Sequence, residues 1–355
     1  MDALKVAILY QSKTPLKING IVKPMKDGGY SDSGADIAFE LQQNNVDIIT
    51  PVNSPNIKNN FDWVFPDSDV GIKAAIEKGV SLFWLNTVLY SKHPILRFID
   101  KNLLIVGQEP EKVEIFDDKF YTNTFLREKS LPIATSHIFT SSKLEKSNIK
   151  FPVVLKPVRG RGSQGVMVVQ NENELKNGIS KLISSKKYGT KVMAEEFLPG
   201  KEITLTIMPP GNYTFKKRKI IKNDYWSLPP VERFNHIDGV APYNGIVAVV
   251  NNSRVISTKE LNSKEIKEIS QKCEAAAKIV GAKAPIRIDC RKNKNNQYQL
   301  FDLNMKPNMT GASRPHRKDQ DSLTMIAANG IGWTYSDLVL NILSQYWELN
   351  NSAFR

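Results

Sequence analysis

Two carboxylates and an amide sit at alternate positions of neighbouring apolar runs, in Ile286-Arg287-Ile288-Asp289 and, beyond a polar turn at 292–297, in Phe301-Asp302-Leu303-Asn304. Strand periodicity of two puts Arg287 and Asp289 on one face of the first run, and Asp302 and Asn304 on one face of the second. Three hard oxygen donors with room for water and phosphate suit Mg²⁺ or Mn²⁺ bridging nucleotide phosphates. Without a cation, such a buried acidic cluster would carry heavy desolvation and mutual repulsion. A merely solvated hairpin face is therefore the weaker reading of these residues.

Upstream, Val154-Leu155-Lys156-Pro157-Val158-Arg159-Gly160-Arg161-Gly162-Ser163-Gln164-Gly165 ends a strand on a lysine and continues as a loop of glycines. Glycines let backbone N–H groups approach phosphate oxygens, and Lys156 adds a positive charge. The loop lacks the Gly-Lys-Ser/Thr of a P-loop and the strand-to-helix context of a dinucleotide fingerprint. Alone it reads as a tight hairpin; beside the carboxylates it reads as a phosphate cradle. Between the two lies Glu195-Glu196-Phe197-Leu198-Pro199-Gly200-Lys201-Glu202. Its carboxylates could receive a ribose hydroxyl, and the backbone of Glu196–Leu198 could pair with an adenine edge. In isolation this stretch is an acidic β-hairpin.

These residues need a scaffold of alternating elements. Lys5–Tyr10 reads as a buried strand, Ala35–Gln43 as a helix capped by Ser31, Asp32 or Ser33, Val46–Thr50 and Trp63–Phe65 as strands, Ile72–Lys78 as a helix stopped at Gly79, and Val80–Trp84 as a strand. That alternation predicts an N-terminal doubly wound parallel sheet. A helix over Val113–Lys129, strands at Ser136–Thr140, Val153–Val158, Val166–Val169 and Lys191–Phe197, and a helix over Glu172–Ser184 form a small α+β unit. Strands at Ile203–Met208, Gly245–Val250, Pro285–Cys290 and Tyr298–Leu303, with helices over Ser263–Val280 and Tyr335–Trp347, complete the chain. The expected units are 1–113, 114–190 and 191–355.

At 355 residues the chain is long enough for two or three domains. No run approaches the roughly 20 apolar residues that cross a bilayer, and the N-terminus lacks a signal-peptide pattern. Cys273 and Cys290 have no metal-ligand spacing, which fits a reducing cytoplasm. The net charge of +13 raises nucleic-acid binding. However, the basic residues are dispersed, and the densest run, Lys216-Lys217-Arg218-Lys219, has no zinc-finger or RNA-recognition aromatic signature beside it. Lys219 and Lys222 are read as either phosphate ligands or an exposed strand edge. His236, near Arg233, is read as a surface histidine, and Tyr225 and Trp226 as packing residues.

In order and spacing, the three motifs resemble the ATP-grasp fold of the D-alanine–D-alanine ligases over about 117–347. The resemblance implies an α/β and α+β chain with a doubly wound N-terminal domain and a two-subdomain ATP-grasp unit. It implies ATP and Mg²⁺ (or Mn²⁺) as cofactors, amino-acid-like small molecules as substrates, and a homodimer, with no nucleic acid or membrane. The implied activity is amide-bond formation through an acyl-phosphate. The alternatives are an ATP-grasp enzyme joining another acid–amine pair, or a nucleotide-binding protein without ligase activity.

The resemblance also assigns roles. Lys119 and Lys156 would hold phosphates. Arg159, Gly162, Ser163, Gln164 and Gly165 would form a flexible lid. Glu195, Glu196, Phe197 and Leu198 would meet adenine, and Glu202 the ribose. Asp289, Asp302 and Asn304 would bind metal. Arg287, Asn308 and Ser163 form the implied catalytic set, and Arg287, Asn308 and Ser313 the substrate set. Four departures fall on the substrate side. Asn308 replaces the glycine of Pro-Gly-Met-Thr, and Gly162 the first lid serine. Gly28-Gly29-Tyr30-Ser31-Asp32 lacks the family's glutamate, and residues 223–244 diverge in composition.

Overall fold

The computed structural model describes residues 4–14, 25–142, 149–160, 163–241 and 248–350. Its first layer is a sheet centred on Lys5–Tyr10, whose Val6, Ala7, Ile8 and Leu9 are fully buried. That strand pairs in parallel with Asp47–Ile48, Phe65–Pro66 and Leu82–Asn86, and Leu104–Val106 extends the sheet beyond Leu82–Asn86. Near-continuous apolar strands are what a parallel sheet covered on both faces requires. The second and third strands are shorter than the apolar runs predicted.

The helix Ser31–Gln43 starts one turn earlier than expected, and none of the three anticipated caps is used. Tyr30 precedes it in the left-handed region (φ 67°), after Gly28 and Gly29, both also at positive φ. The Gln11 N–H donates to Gly29 O at 2.8 Å, and a Cβ on Gly29 would sit 1.8 Å from the Gln11 carbonyl oxygen. Only glycine allows this loop to close onto the end of the first strand. The helix predicted over Val113–Lys129 is instead two, Pro110–Phe116 and Lys119–Glu128. The Asp118 side chain accepts from Tyr121 N–H (2.9 Å), caps the second helix and makes Lys119 its first residue.

The middle layer is an antiparallel sheet in the order Ser136–Phe139, Val192–Glu196, Val153–Pro157, Met167–Val169. It is covered by Glu172–Ser184, which presents Leu175, Ile179 and Leu182 to Val153, Leu155, Val192 and Ala194. Val192–Glu196 lies beyond the expected 190 boundary yet belongs to this sheet.

The third layer is an antiparallel sheet in the order Ser253–Val255, Val231–Arg233, Glu202–Met208, Ile286–Lys292, Tyr298–Asn304. Strand alternation sends Ile203, Leu205 and Ile207 into the core and leaves Glu202, Thr204 and Thr206 on the opposite face. The core side is sealed by Lys264–Val280, capped by Ser263 and ended by Gly281 at φ 63°.

Two further predicted elements changed. The last helix stops at Leu343, and Trp347–Glu348 instead pairs antiparallel with Leu104–Val106, bringing the chain back to the first sheet. Of the strand expected at Gly245–Val250, residues 245–247 lie outside the described residues, and Val249–Asn251 is a 3-10 turn. The basic run forms an unpredicted hairpin, Gly211–Phe215 with Arg218–Lys222, turning through Lys216 and Lys217 at positive φ. Lys219 and Lys222 are strand residues of that hairpin, away from the cleft, and Lys222 Nζ lies 5.0 Å from the Trp226 ring centroid.

Candidate active site

A cavity of about 700 Å³ opens between the three layers. Its floor is the polar face of the third sheet, and the strand register turns the sequence into rows. Arg233, Glu202 and Arg291 form one row across three strands, Thr204, Asp289 and Asp302 the next, and Thr206, Arg287 and Asn304 the third. Asp289 and Asp302 are direct cross-strand neighbours, as are Arg287 and Asn304. A β-bulge follows Asp289 and shifts the register of the rest of the hairpin.

Each floor carboxylate has partners. The Arg287 guanidinium donates to both oxygens of Asp289 (3.2 and 3.3 Å), and the Thr204 hydroxyl donates to the same carboxylate at 2.8 Å. Lys119, projected from the start of its helix, donates to Asp302. Burial pushes the Asp302 carboxyl up, but the Lys119 and Lys156 ammoniums outweigh it and hold it below the ordinary carboxylate value. Burial likewise lowers Lys119, and Asp302 more than reverses that. Asn304 Oδ1 accepts the Lys306 N–H at 2.9 Å, leaving a second lone pair on that oxygen.

The roof comes from the middle sheet. Lys156 donates to Glu195 (2.6 Å) and to the Phe301 carbonyl (3.1 Å), tying the two sheets together. Asn123 donates to the other Glu195 oxygen at 2.7 Å. Burial raises the Glu195 carboxyl against the pull of Lys156. Arg159 donates to the Glu114 carbonyl (2.9 Å) and lies 3.3 Å from Asp117. In the strand linking roof to floor, Glu196 N–H and Phe197 N–H bond to the carbonyls of Thr135 and Pro152. Leu198 N–H has no acceptor among the described residues. Arg291 lies over the Phe197 ring, 5.3 Å from its centroid.

The structure brings Lys119, Lys156, Arg159, Ser163, Gln164, Glu195, Glu196, Phe197, Leu198, Glu202, Arg287, Asp289, Asp302, Asn304 and Asn308 to this one cavity. Gly162 lies outside the described residues. Two candidates are not brought there. Gly165, at φ 73°, does not itself line the cavity, and a Cβ there would meet Tyr188, Leu182 and Pro157 at 3.0 to 3.1 Å. Ser313 is drawn beneath the N-terminal helix, where its hydroxyl donates to the Asp36 carbonyl and the Glu40 carboxylate, both at 3.1 Å. Asn308 lines the cavity, but its side-chain oxygen is turned back to accept from Thr310 N–H (3.0 Å) and its hydroxyl (2.8 Å).

His236 corrects the surface reading: its Nε2 stands 2.8 Å from Glu202 Oε2 and its side chain is mostly covered. Thr204, Arg233, Arg291 and Lys306 also line or support the cavity and were not read as site residues. Thr204 and Arg291 each lie two positions from an assigned residue, so strand alternation would have placed them. His236 and Arg233 come from a stretch without periodic pattern, and only the fold places them.

A hairpin carrying paired carboxylates, facing a small glycine-looped sheet across a cleft studded with lysines and arginines, is the architecture of an ATP-grasp ligase. The family model described as "D-ala D-ala ligase C-terminus" matches residues 125–344. The chain therefore belongs to the D-alanine–D-alanine ligase C-terminal family. It is 26% identical to the D-alanine–D-alanine ligase of Pelagibacter ubique over 322 residues, 87% of this chain and 93% of that protein. It is also 26% identical to the ligase of Francisella philomiragia subsp. philomiragia, there over 64% of this chain and 66% of that one. The D-alanine–D-alanine ligase from Bacillus anthracis complexed with ATP superposes with a TM-score of 0.62 over 97% of both chains at 18% identity. That from Coxiella burnetii superposes at 0.63 over 97% of this chain and 94% of its own, at 13% identity.

Proposed function

We propose that this chain is an ATP-dependent carboxylate–amine ligase that joins amino-acid-like substrates through an acyl-phosphate, a reading supported by relatives named D-alanine–D-alanine ligase. The observation that carries the reading is the Asp289–Asp302 pair, set face to face on adjacent strands beside Asn304 and ringed by Lys119, Lys156 and Arg287. Among the described residues no cluster of three His, Cys, Asp or Glu side chains could hold a metal. The donor set is instead two carboxylates and an amide oxygen, which suits a hard cation shared with phosphate oxygens rather than a closed protein cage. Bound Mg²⁺ would draw charge off the terminal phosphate of ATP.

The remaining chemistry belongs to the side chains. Lys119 and Lys156 place positive charge along the cleft where phosphate charge accumulates. Arg287, beside Asp289, faces the oxyanion that develops when an amine attacks the acyl-phosphate. Glu202 and the Leu198 N–H supply an acceptor and a donor for ribose and adenine. Ser163, at φ 59° and 3.4 Å from the Ala241 carbonyl, belongs to a lid that excludes water from the intermediate. Asn308, with its side chain turned into its own loop, would serve through its backbone.

Among the described residues no helix is long and apolar enough to cross a membrane. Cys273 and Cys290 are buried with their sulfurs 3.5 Å apart, and a cytoplasmic setting belongs to the reading through the resemblance to the ligases. A homodimer, implied by the resemblance, completes the reading and is checked by sedimentation. The activity is tested by phosphate release from ATP with Mg²⁺ across a panel of paired amino acids. Release that requires both an acid and an amine is expected. Tight nucleotide binding with no turnover on any pair would overturn the ligase reading.

A further inference from the structure

Arg233 ends the Val231–Arg233 strand as the cross-strand partner of Glu202 and lines the cavity. Among the described residues its guanidinium makes no hydrogen bond or ion pair, and its Nε is buried without an acceptor. The other cleft arginines are engaged: Arg287 with Asp289, Arg291 with the Gly239 carbonyl (2.6 Å), and Arg159 with the Glu114 carbonyl (2.9 Å). Nor can the adjacent carboxylates readily serve Arg233. Glu202 is held by His236 at 2.8 Å, and Asp289 by Thr204 and Arg287. Burial pushes the Arg233 guanidinium below its ordinary pKa, and the Asp289 and Glu202 charges offset this only in part. A desolvated cation without a partner is costly, and an oxyanion arriving in the cavity would remove that cost.

Position says which oxyanion. Successive rows on one strand face are about 7 Å apart. Arg233 occupies the Glu202 row and Arg287 the row on the far side of the Asp289–Asp302 pair. A nucleotide whose ribose meets Glu202 and whose terminal phosphate meets the carboxylate pair runs its phosphate chain from the Glu202 row to the next, and Arg233, one strand to the side of Glu202, is close enough to feel the charges at both ends of that path. We propose that Arg233 binds non-bridging oxygens of the nucleotide's phosphate chain, as the floor's counterpart to Lys156 in the roof. The inference rests on the nucleotide reading of the cleft and adds to it an arginine from a stretch with no recognisable motif.

Calorimetric titration of the full chain with a non-hydrolysable ATP analogue plus Mg²⁺, and separately with adenosine, tests it. Arg233→Met is expected to weaken the analogue about tenfold or more, the scale of a lost charge-assisted hydrogen bond, while adenosine affinity stays within about twofold. Arg233→Lys should recover part of the loss. Because the native guanidinium is unpartnered, Arg233→Met should also keep or raise the melting temperature, whereas a merely structural arginine would lower it. Unchanged analogue affinity in Arg233→Met, or a change confined to the KM of an amino-acid substrate, overturns the inference and leaves the nucleotide site standing. Failure of the unmodified protein to bind the analogue overturns both.

Discussion

Arg314 and Arg317 close on Asp36 beneath the N-terminal helix, whereas Arg287 and Lys119 stand beside Asp289 and Asp302 on the cleft floor. Both are buried assemblies of basic and acidic side chains, and composition alone would not separate them. In the first, Arg314 and Asp36 are fully buried, and every guanidinium nitrogen of Arg314 is used. Nε donates to Asp36 (2.8 Å), Nη1 to the Ile57 carbonyl and Nη2 to the Asp32 carbonyl, both at 3.1 Å. Arg317 takes the second Asp36 oxygen at 2.8 Å. Every guanidinium nitrogen of Arg314 and both oxygens of Asp36 are engaged, and the pair is closed off from solvent. The cluster is a rivet between the first layer and the loop that follows the metal-type residues.

In the second cluster Lys119 holds Asp302 closely, but the Arg287–Asp289 contacts are longer, at 3.2 and 3.3 Å, and the carboxylates look onto open volume. Charge density marks both places; spare coordination marks only the cleft. The same contrast singles out Arg233, whose neighbours in the sheet are all spoken for.

The sharpest way to break the comparison is at the rivet. Arg314→Leu should leave the buried Asp36 with Arg317 as its remaining ion partner and cost about 3 kcal/mol, read as a fall in the urea midpoint. Pairing it with Asp36→Leu should recover most of that loss. A single-variant effect under about 1 kcal/mol would show that the cluster is not a rivet.

Next, Asp302→Asn should reduce ligase turnover about 100-fold or more, roughly 2.7 kcal/mol of lost transition-state stabilisation, while the chain still folds, with its urea midpoint near neutral pH lowered by the lost pairing with Lys119. Full activity in this variant would remove the metal assignment. The same substitution has a pH signature. The folded pKa of Asp302 is lowered, so the unfolded chain takes up the proton first as pH falls. The stability from this carboxylate is complete above the unfolded value of about 4 and is lost as pH drops through the folded one. Asp302→Asn should therefore flatten the acid limb of the stability profile, and an unchanged slope would contradict the ion pairing with Lys119. At the small end, Arg97→Ala removes an exposed pair with Asp69 and should shift stability by less than about 1 kcal/mol. A larger loss would mean that exposed and buried pairs differ less than proposed.

Much of the scaffold was legible because local patterns and the fold agree. The helix Glu172–Ser184 has the bounds predicted from its apolar spacing, and Asn171 caps it by accepting from Glu174 N–H at 3.0 Å. The pairing of Asp289 with Asp302 was legible for a related reason: a short polar turn between two alternating runs leaves few registers. Elsewhere, competing interactions prevailed. Asp118 prefers a cap to a helix interior, which splits one predicted helix and aims Lys119 into the cleft. Trp347 leaves its helix because an open sheet edge and the Gly107 carbonyl, 2.8 Å from its indole nitrogen, offer better partners.

The chain's own pattern determined that strands would alternate, that two carboxylates would meet on adjacent strands, and that a glycine loop would follow a lysine. Each is a matter of neighbours within a few positions or across one short turn. Only the tertiary structure decided that Ser313 would be drawn against Glu40, that His236 would reach Glu202, and that Arg233 would be half-buried with no partner among the described residues. Those outcomes depend on which elements pack against which. Desolvation and the filling of every lone pair are properties of a packed interior, and no local stretch of residues contains them.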